Sequence, residues 1–393
     1  MEPRYPLASL TWGDNELAAI QRVLDSGQLT LGNEVRHFER EFREFVGTRF
    51  AVMVNSGSSA NLLAVAALTL RGEGRLERGG EVLVPAIGWS TTYFPFTQYG
   101  LTLRFVDVAP DTLNLDEDRV EEAITSATRA VMVVNLLGHP CNLDSLSELS
   151  EKHGLILIED CCEALGTYHG TKHVGTFGVA GTFSTYFSHH ISTVEGGFVV
   201  TDDEEIYNIL LAIRSHGWTR QLPGDNQLSQ ASGDSFQDAY RFVLPGYNVR
   251  PLELMAAVGR EQLGRFPEFL AARRLNAEHF HARIAELPLV DIQKPAPGAS
   301  YFAFPIILRD EAPPRHRVVS ALTTAGIETR PVVAGNFTRQ PVTKLLSHSV
   351  AGRLLVADRV HERGFMIGNG SWDMRARIDE ALDVLASVLT ERA

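Results

Sequence analysis

Between Phe50 and Thr201 the chain alternates short apolar runs with helical segments, and few folds accept that pattern. The runs are Phe50 to Val54, Glu81 to Pro85, Leu103 to Val106, Ala130 to Val134 and Leu155 to Ile158. Each reads as a strand. Helical stretches, Leu62 to Leu70, Asp116 to Thr125 and Leu143 to His153, lie between them. Strand and helix in alternation over this length predict βαβ units and a mostly parallel sheet. Open sheets of this kind bind ligands at the carboxyl ends of their strands. Polar residues at those ends are therefore the first candidates for chemistry.

The flanks differ. Asp14 to Ser26 reads as a capped amphipathic helix with Leu17, Ile20, Val23 and Leu24 on one face. Asn33 to Phe45 reads as a second, with Val35, Phe38, Phe42 and Phe45 spaced for burial. From Pro251 the pattern changes. A long helical stretch, Leu252 to Ala285, is expected to break near Pro267. Strand, helix and strand follow at Phe302 to Leu308, Val318 to Ala325 and Glu328 to Val333, then helices at Leu355 to Arg363 and Arg375 to Thr390. The expected division is a large domain over 1–250, N-terminal helices included, and a small α+β domain over 251–393.

Composition narrows the function. A net charge of −12 argues against a nucleic-acid partner, which needs a basic face. No apolar run reaches the ~20 residues of a membrane span, and Met1 to Pro6 lacks the apolar core of a signal peptide. Both point to a cytoplasmic protein. The three cysteines, Cys141, Cys161 and Cys162, form no CxxC pair and no disulfide framework. Three thiolates also cannot hold a four-thiolate iron–sulfur cluster. No metal site is expected.

Several strand ends carry candidate residues. Asn55 to Asn61, a Ser/Gly turn between strand and helix, is an arrangement that presents N–H groups and hydroxyls to a phosphate. It also fits an ordinary connection. Trp89 follows the second strand, placed either to stack on a flat ring or to fill the core. Asp160 and Glu163 end the fifth strand. A carboxylate there needs a partner, which is either a cationic ligand or a structural ion pair. Gly181 to Gly197 runs from a strand through a polar turn with His189 and His190 to a Gly pair. Gln221 to Gln237 is a polar loop, and Arg330 to Phe337 is either a plain connection or a segment reaching a ligand.

The Gly181–Gly197 stretch resembles the cofactor-lysine segment of the sugar aminotransferases, the DegT/DnrJ/EryC1/StrS family of fold-type I, vitamin-B6-dependent enzymes. These read roughly Ser-Phe-x-x-x-Lys-x-x-x-x-x-Glu-Gly-Gly. The resemblance implies an α/β, aspartate-aminotransferase-like fold, with a mostly parallel large-domain sheet and a smaller C-terminal α+β domain. Counted back from Glu195-Gly196-Gly197, the family's lysine falls on His189. A histidine cannot form the internal Schiff base, but with an unperturbed pKa of ~6.5 it moves protons. The chain's lysines, Lys152, Lys172, Lys294 and Lys344, all lie in the wrong context to replace it.

One branch of the family carries the His-His-Ile-x-Thr signature found at His189 to Thr193 and dehydrates sugars instead of aminating them. Tyr5 to Ala8, Trp12 and Arg214 to Arg220 match that branch as well. It implies pyridoxal phosphate (PLP) cycling with pyridoxamine phosphate (PMP), and L-glutamate as amino donor. The implied substrate is a nucleotide-linked 4-keto-6-deoxyhexose, GDP-linked by similarity to the branch, which loses its C3 hydroxyl as ammonia is released. Carried over residue by residue, Gly57 and Ser58 bind the cofactor phosphate, and Trp89 covers the ring. Asp160 partners the ring nitrogen with Glu163 nearby, and Ser184 and Ser188 meet the cofactor hydroxyl or phosphate. Asn248 contacts the phosphate of the neighbouring subunit in a homodimer. His189 is the base, His216 serves the leaving hydroxyl, and His190 is structural. Two other readings remain open: a nucleotide-sugar aminotransferase, which would retain the amine in its product, and a non-catalytic cofactor- or sugar-binding homologue.

Overall fold

The computed structural model describes residues 3–390 except Ser9, Glu73, Asp225, Gln230 and Ala231. Three of these, Asp225, Gln230 and Ala231, belong to the expected Gln221 to Gln237 loop. Helices α1 (Asp14–Ser26) and α2 (Asn33–Val46) open the chain. The large sheet takes β1 (Phe50–Val54), β2 (Glu81–Pro85), β3 (Thr102–Val106), β4 (Thr128–Val134) and β5 (Ile156–Asp160). A small hairpin, β6 (Tyr168–His169) with β7 (Lys172–His173), precedes β8 (Ala180–Ser184) and β9 (Gly197–Thr201). With β12 (His348–Val350) the order across the sheet is β1-β9-β8-β5-β4-β2-β3-β12. Every pairing is parallel except the two made by β9.

Helices α3 (Gly57–Leu70), α4 (Ser90–Gln98), α5 (Glu117–Ala123), α6 (Leu143–His153) and α7 (Glu204–Ile213) connect or flank these strands. A short α8 (Ser235–Asp238) follows, then the 32-residue α9 (Glu253–Ile284). A second sheet, β10 (Val290–Ile292), β11 (Ala303–Leu308) and β13 (Gly364–Gly368), is antiparallel and carries α10 (Arg315–Thr324), α11 (Leu355–Arg363) and α12 (Arg375–Thr390). No helix of the described residues is long and apolar enough to cross a membrane.

The period of two along a strand sends alternate side chains to opposite faces. In β1, Val52 and Val54 join the core beneath α3 and α7, while Ala51 and Met53 face α2. Phe198 on β9 stacks flat on Phe42 of α2, with centroids 3.9 Å apart, and takes Phe38 edge-on at 4.9 Å. Such pairs add about 0.5–1.5 kcal/mol beyond the area they bury. A third core lies between the small sheet, α12 and the end of α9, and Tyr5 from the start of the chain is buried in it.

Four local expectations need correction. Helix α1 buries Glu16, Ala19 and Val23 against α9, leaving Leu17 and Leu24 exposed. The turn of the helix is set by Glu16, whose carboxylate accepts from Gln262 and Arg265 on α9. Helix α3 starts at Gly57 rather than Leu62, because the Ser56 hydroxyl accepts from Ser59 N–H and caps it. Helix α9 runs unbroken through Pro267. Its flanks are packed against α1 and α2 on one side and α12 beyond, and that burial outweighs one lost backbone bond. Glu328 to Val333 forms only an isolated bridge, Arg330 to Met366, and ends in Val333 at a left-handed φ of 51°.

Helix α9 is tied to α2 by the Arg260 pairs with Glu34 and Glu41 and, at the start of both helices, by one buried carboxylate. Glu253, 2% exposed, accepts from the N–H groups of Gly32 (2.7 Å), Glu34 (2.9 Å) and Val35 (3.1 Å). It thereby satisfies the open end of α2. Glu253→Ala strands those donors and should lower stability by about 2–3 kcal/mol, read from the urea midpoint, with Glu253→Gln losing less because its amide oxygen still accepts. An unchanged midpoint in the alanine variant would refute this role.

Candidate active site

A cavity of about 390 Å³ opens at the carboxyl ends of β4, β5 and β8. Asp160, the last residue of β5, is 4% exposed and lines it. Its Oδ2 accepts from Asn61 Nδ2 (2.9 Å) and Thr92 Oγ1 (2.7 Å), and its Oδ1 from the Cys162 N–H (3.0 Å). No cation pairs with it among the described residues. A carboxylate set this deep, held by neutral donors and open to a cavity, leaves room for a cationic ligand edge.

Two helices begin at the same cavity. Ser56, Gly57 and Ser58 at the start of α3, and Trp89, Thr91 and Thr92 at the start of α4, all line it. Ser58 and Thr91 hydroxyls meet at 2.8 Å and tie the two ends together. Free N–H groups and the positive end of each helix dipole suit an anion. Gly57 is needed there: a Cβ would come within 2.6 Å of Ser184 Cβ and 2.9 Å of Cys162 Sγ. Trp89 is 58% exposed, so it does not fill the core and its face is free for a ring.

The β8–β9 connection supplies the titratable groups. Thr185 and Thr193 hydroxyls meet at 2.6 Å, and Phe187 N–H donates to Val194, which sits at a left-handed φ of 69°. This closed loop puts Ser184, Ser188, His189 and Glu195 on the cavity wall. The His189 ring lies 5.2 Å from the Phe302 ring, and its Nδ1 is buried with no partner. Burial, then the charge of Arg273, pushes its pKa down to about 4, so the imidazole is neutral at pH 7. His190 turns away, 1% exposed between Phe266 and Phe302. Glu163 lines the cavity and accepts from the Leu137 N–H at 3.0 Å. Burial, reinforced by the Asp160 charge, pushes its carboxyl up to about 7.

The structure thus brings Gly57, Ser58, Trp89, Asp160, Glu163, Ser184 and His189 to one cavity. His216 and Asn248 are elsewhere. Both are exposed and adjacent through the Ser215–Asn248 bridge; His216 N–H donates to Tyr247, and Asn248 Oδ1 accepts from Arg250. No lysine lines the cavity: Lys152 pairs with Glu121, Lys294 with Asp111, Lys172 lies over Phe177, and Lys344 is exposed. Sequence reasoning passed over Asn61, Thr92, Cys162 and Phe302. Asn61 had a signal, being a polar residue at the head of the apolar Leu62 to Leu70 run; Phe302 had none. Val333, from the Arg330 to Phe337 segment, does reach the wall.

These residues fit a flat, phosphorylated ring with a protonated nitrogen. Asp160 has no cation partner among the described residues, the starts of two helices face the cavity, and His189 Nδ1 is buried without a partner. Pyridoxal phosphate has each feature required.

The sequence profile of the DegT/DnrJ/EryC1/StrS aminotransferase family matches residues 11–377. The chain is 46% identical to GDP-4-keto-6-deoxy-D-mannose 3-dehydratase of Yersinia pseudotuberculosis over 384 residues, 97% of this chain and 98% of that one. The solved structure of the E. coli enzyme of that name with bound hydrated PLP superposes with a TM-score of 0.96, at 46% identity, over 98% of this chain and all of that one. A structure of the dehydratase with a trapped PLP-glutamate geminal diamine gives 0.95 at the same identity, over 97% of this chain and 100% of that one. The fold is that of the fold-type I enzymes, and the chain belongs to the DegT/DnrJ/EryC1/StrS aminotransferase family.

Proposed function

We infer that the protein is a PLP/PMP-dependent hydro-lyase that removes the C3 hydroxyl of GDP-4-keto-6-deoxy-D-mannose, with L-glutamate as amino donor. The observation that carries this reading is a cavity lined by Asp160, two helix starts, a neutral histidine and no lysine. The 46% identity to dehydratases over nearly the whole chain supports the substrate.

When bound, the cofactor supplies an electron sink and a transferable amine. The protein supplies the rest. The α3 terminus with Gly57, Ser58 and Ser184 takes the phosphate. Asp160 stands against the ring nitrogen and Trp89 covers the ring. Glu163, half protonated near pH 7, donates a hydrogen bond to a ligand oxygen. His189 would take the proton from the glutamate α-carbon and deliver it to the C4′ carbon of the bound cofactor. In the sugar half-reaction it again moves the proton whose loss drives out the C3 hydroxyl. General-base catalysis of this kind contributes ~10²–10⁴-fold. No lysine amine lines the cavity to divert the reaction toward amino transfer, and water would release the nitrogen as ammonia by hydrolysis.

His216 and Asn248 enter this reading through a second copy. Beside them Phe236, Tyr240 and Phe242 are exposed, with Phe242 stacked on Trp218 at 5.7 Å. An apolar cluster this open suits an interface. In a homodimer Asn248 would reach the partner's phosphate and His216 the leaving hydroxyl. The free cysteines suit a reducing cytoplasm.

Four outcomes test the reading. PLP-loaded protein given L-glutamate should form 2-oxoglutarate as the aldehyde absorbance gives way to that of the amine, and His189→Asn should lose at least ~10²-fold in rate. GDP-4-keto-6-deoxymannose should then release ammonia, whereas an aminated sugar would indicate an aminotransferase. For Glu163, the raised pKa means that the acid form prevails below about pH 7 and is lost above it. Difference infrared spectra should show a carboxylic-acid band that disappears through that pH and is absent in Glu163→Gln. Finally, mixing His189→Asn with Asn248→Ala protein should restore activity that neither variant has, since each mixed dimer has one intact site. Failure to complement would exclude a site shared between subunits.

A further inference from the structure

Behind the cavity lies a buried guanidinium with no carboxylate to match it. Arg273 on α9 is 4% exposed. Its Nη1 donates to the carbonyls of Asn369 (2.8 Å), Phe302 (3.1 Å) and Tyr301 (3.4 Å), and its Nε has no partner. No carboxylate pairs with it among the described residues. Desolvation pushes its pKa down to about 10. Holding a cation there is costly, and carbonyls alone do not require one.

The carbonyls it gathers belong to one corner of the chain. Tyr301 has a left-handed φ of 51°, which a bulky residue adopts only when its surroundings impose it. Asn369 Nδ2 donates to the Tyr301 carbonyl at 2.8 Å and to the Arg273 carbonyl at 3.1 Å. From the other side, Phe302 N–H donates to Leu137 O at 2.8 Å and Ser300 N–H to Gly138 O at 2.9 Å. The pinned corner presents the Phe302 ring to the cavity, 5.2 Å from His189 and 5.6 Å from His190.

We propose that Arg273 is a positioning residue for His189: it clamps the Tyr301–Phe302 corner, and the clamped Phe302 ring holds the imidazole at the cavity wall. The charge has a second effect. Around His189 stand Tyr186 and Glu195 of its own loop, His190 beside it, Asp160 and Glu163 from the end of β5, and Arg273 from α9. The carboxylates favour an imidazolium. Burial is the first cause that keeps the ring a proton acceptor, and Arg273, a cation with no carboxylate partner among the described residues, adds to it. The inference rests on His189 being the base.

The test uses full-length protein with PLP and ring-labelled histidine. The His189 signal is assigned by its loss in His189→Asn. In the wild type it should stay neutral down to about pH 5. In Arg273→Met its midpoint should rise by about one unit or more, while Arg273→Lys, which keeps the charge, should stay near wild type. Phe302→Leu should slow the glutamate half-reaction about tenfold or more, with PLP affinity and His189 titration unchanged. A wild-type titration in folded Arg273→Met, or a wild-type rate in Phe302→Leu, overturns the proposal. Should Arg273→Met not fold, Phe302→Leu decides. Wild-type protein that shows the expected titrations yet never converts glutamate would refute the proposed function and leave the clamp standing.

Discussion

The Asp160 carboxylate ties together the elements that make the site. Asn61 brings in α3, Thr92 brings in α4, and the Cys162 N–H turns the chain out of β5. Thr182 on β8 donates to Asn61 Oδ1 at 2.6 Å and extends the network to the neighbouring strand. Each donor meets an acceptor, so the network has one arrangement in which nothing buried is left unpaired. Both helix ends that face the cavity are thereby referred to a single side chain. Shifting Asp160 would move the anion end and the ring wall together.

A second buried acid does similar work on the other face of the same strand. Glu159, fully buried, accepts from Gly175, Phe177 and Gly178 N–H groups at 2.6–2.8 Å. Alternation along β5 sends one carboxylate to the scaffold and the next to the cavity. Their chemistry is the same and their neighbours differ: Glu159 accepts only from backbone N–H groups, while Asp160 accepts from two side chains and one backbone N–H beside open space.

Much of this was legible in the chain. The strands through β5 and the helices α6, α11 and α12 follow from apolar period and caps, because local signals and burial agree there. The seven cavity residues from Gly57 to His189 were legible through the family resemblance; position at a strand end or helix start left a structural reading open for Gly57, Trp89 and Asp160, and Glu163 and His189 lie in the connections after β5 and β8. What could not be read depends on distant partners. Leu17 and Leu24 look like a core face until Glu16 is drawn to α9 by Gln262 and Arg265. Pro267 looks like a break until both flanks of α9 are buried. Phe302 meets His189 across more than a hundred residues of sequence, and Arg273 is one arginine among many until Tyr301 and Asn369 fold against it. Glu328 to Val333 has the composition of a strand but pairs at one point only, since Val333 turns left-handed toward the cavity.

The absence of lysine from the cavity wall has a consequence for the protein's economy in the cell. A cofactor held by a covalent bond stays with its enzyme, whereas one held by hydrogen bonds, helix ends and an aromatic face is in exchange with the pool. Occupancy then follows the free concentration by mass action, and folding is linked to it. At a hundred times the dissociation constant the folded state gains about 2.7 kcal/mol. Vitamin supply would then set both how many sites are charged and how long each molecule survives unfolding.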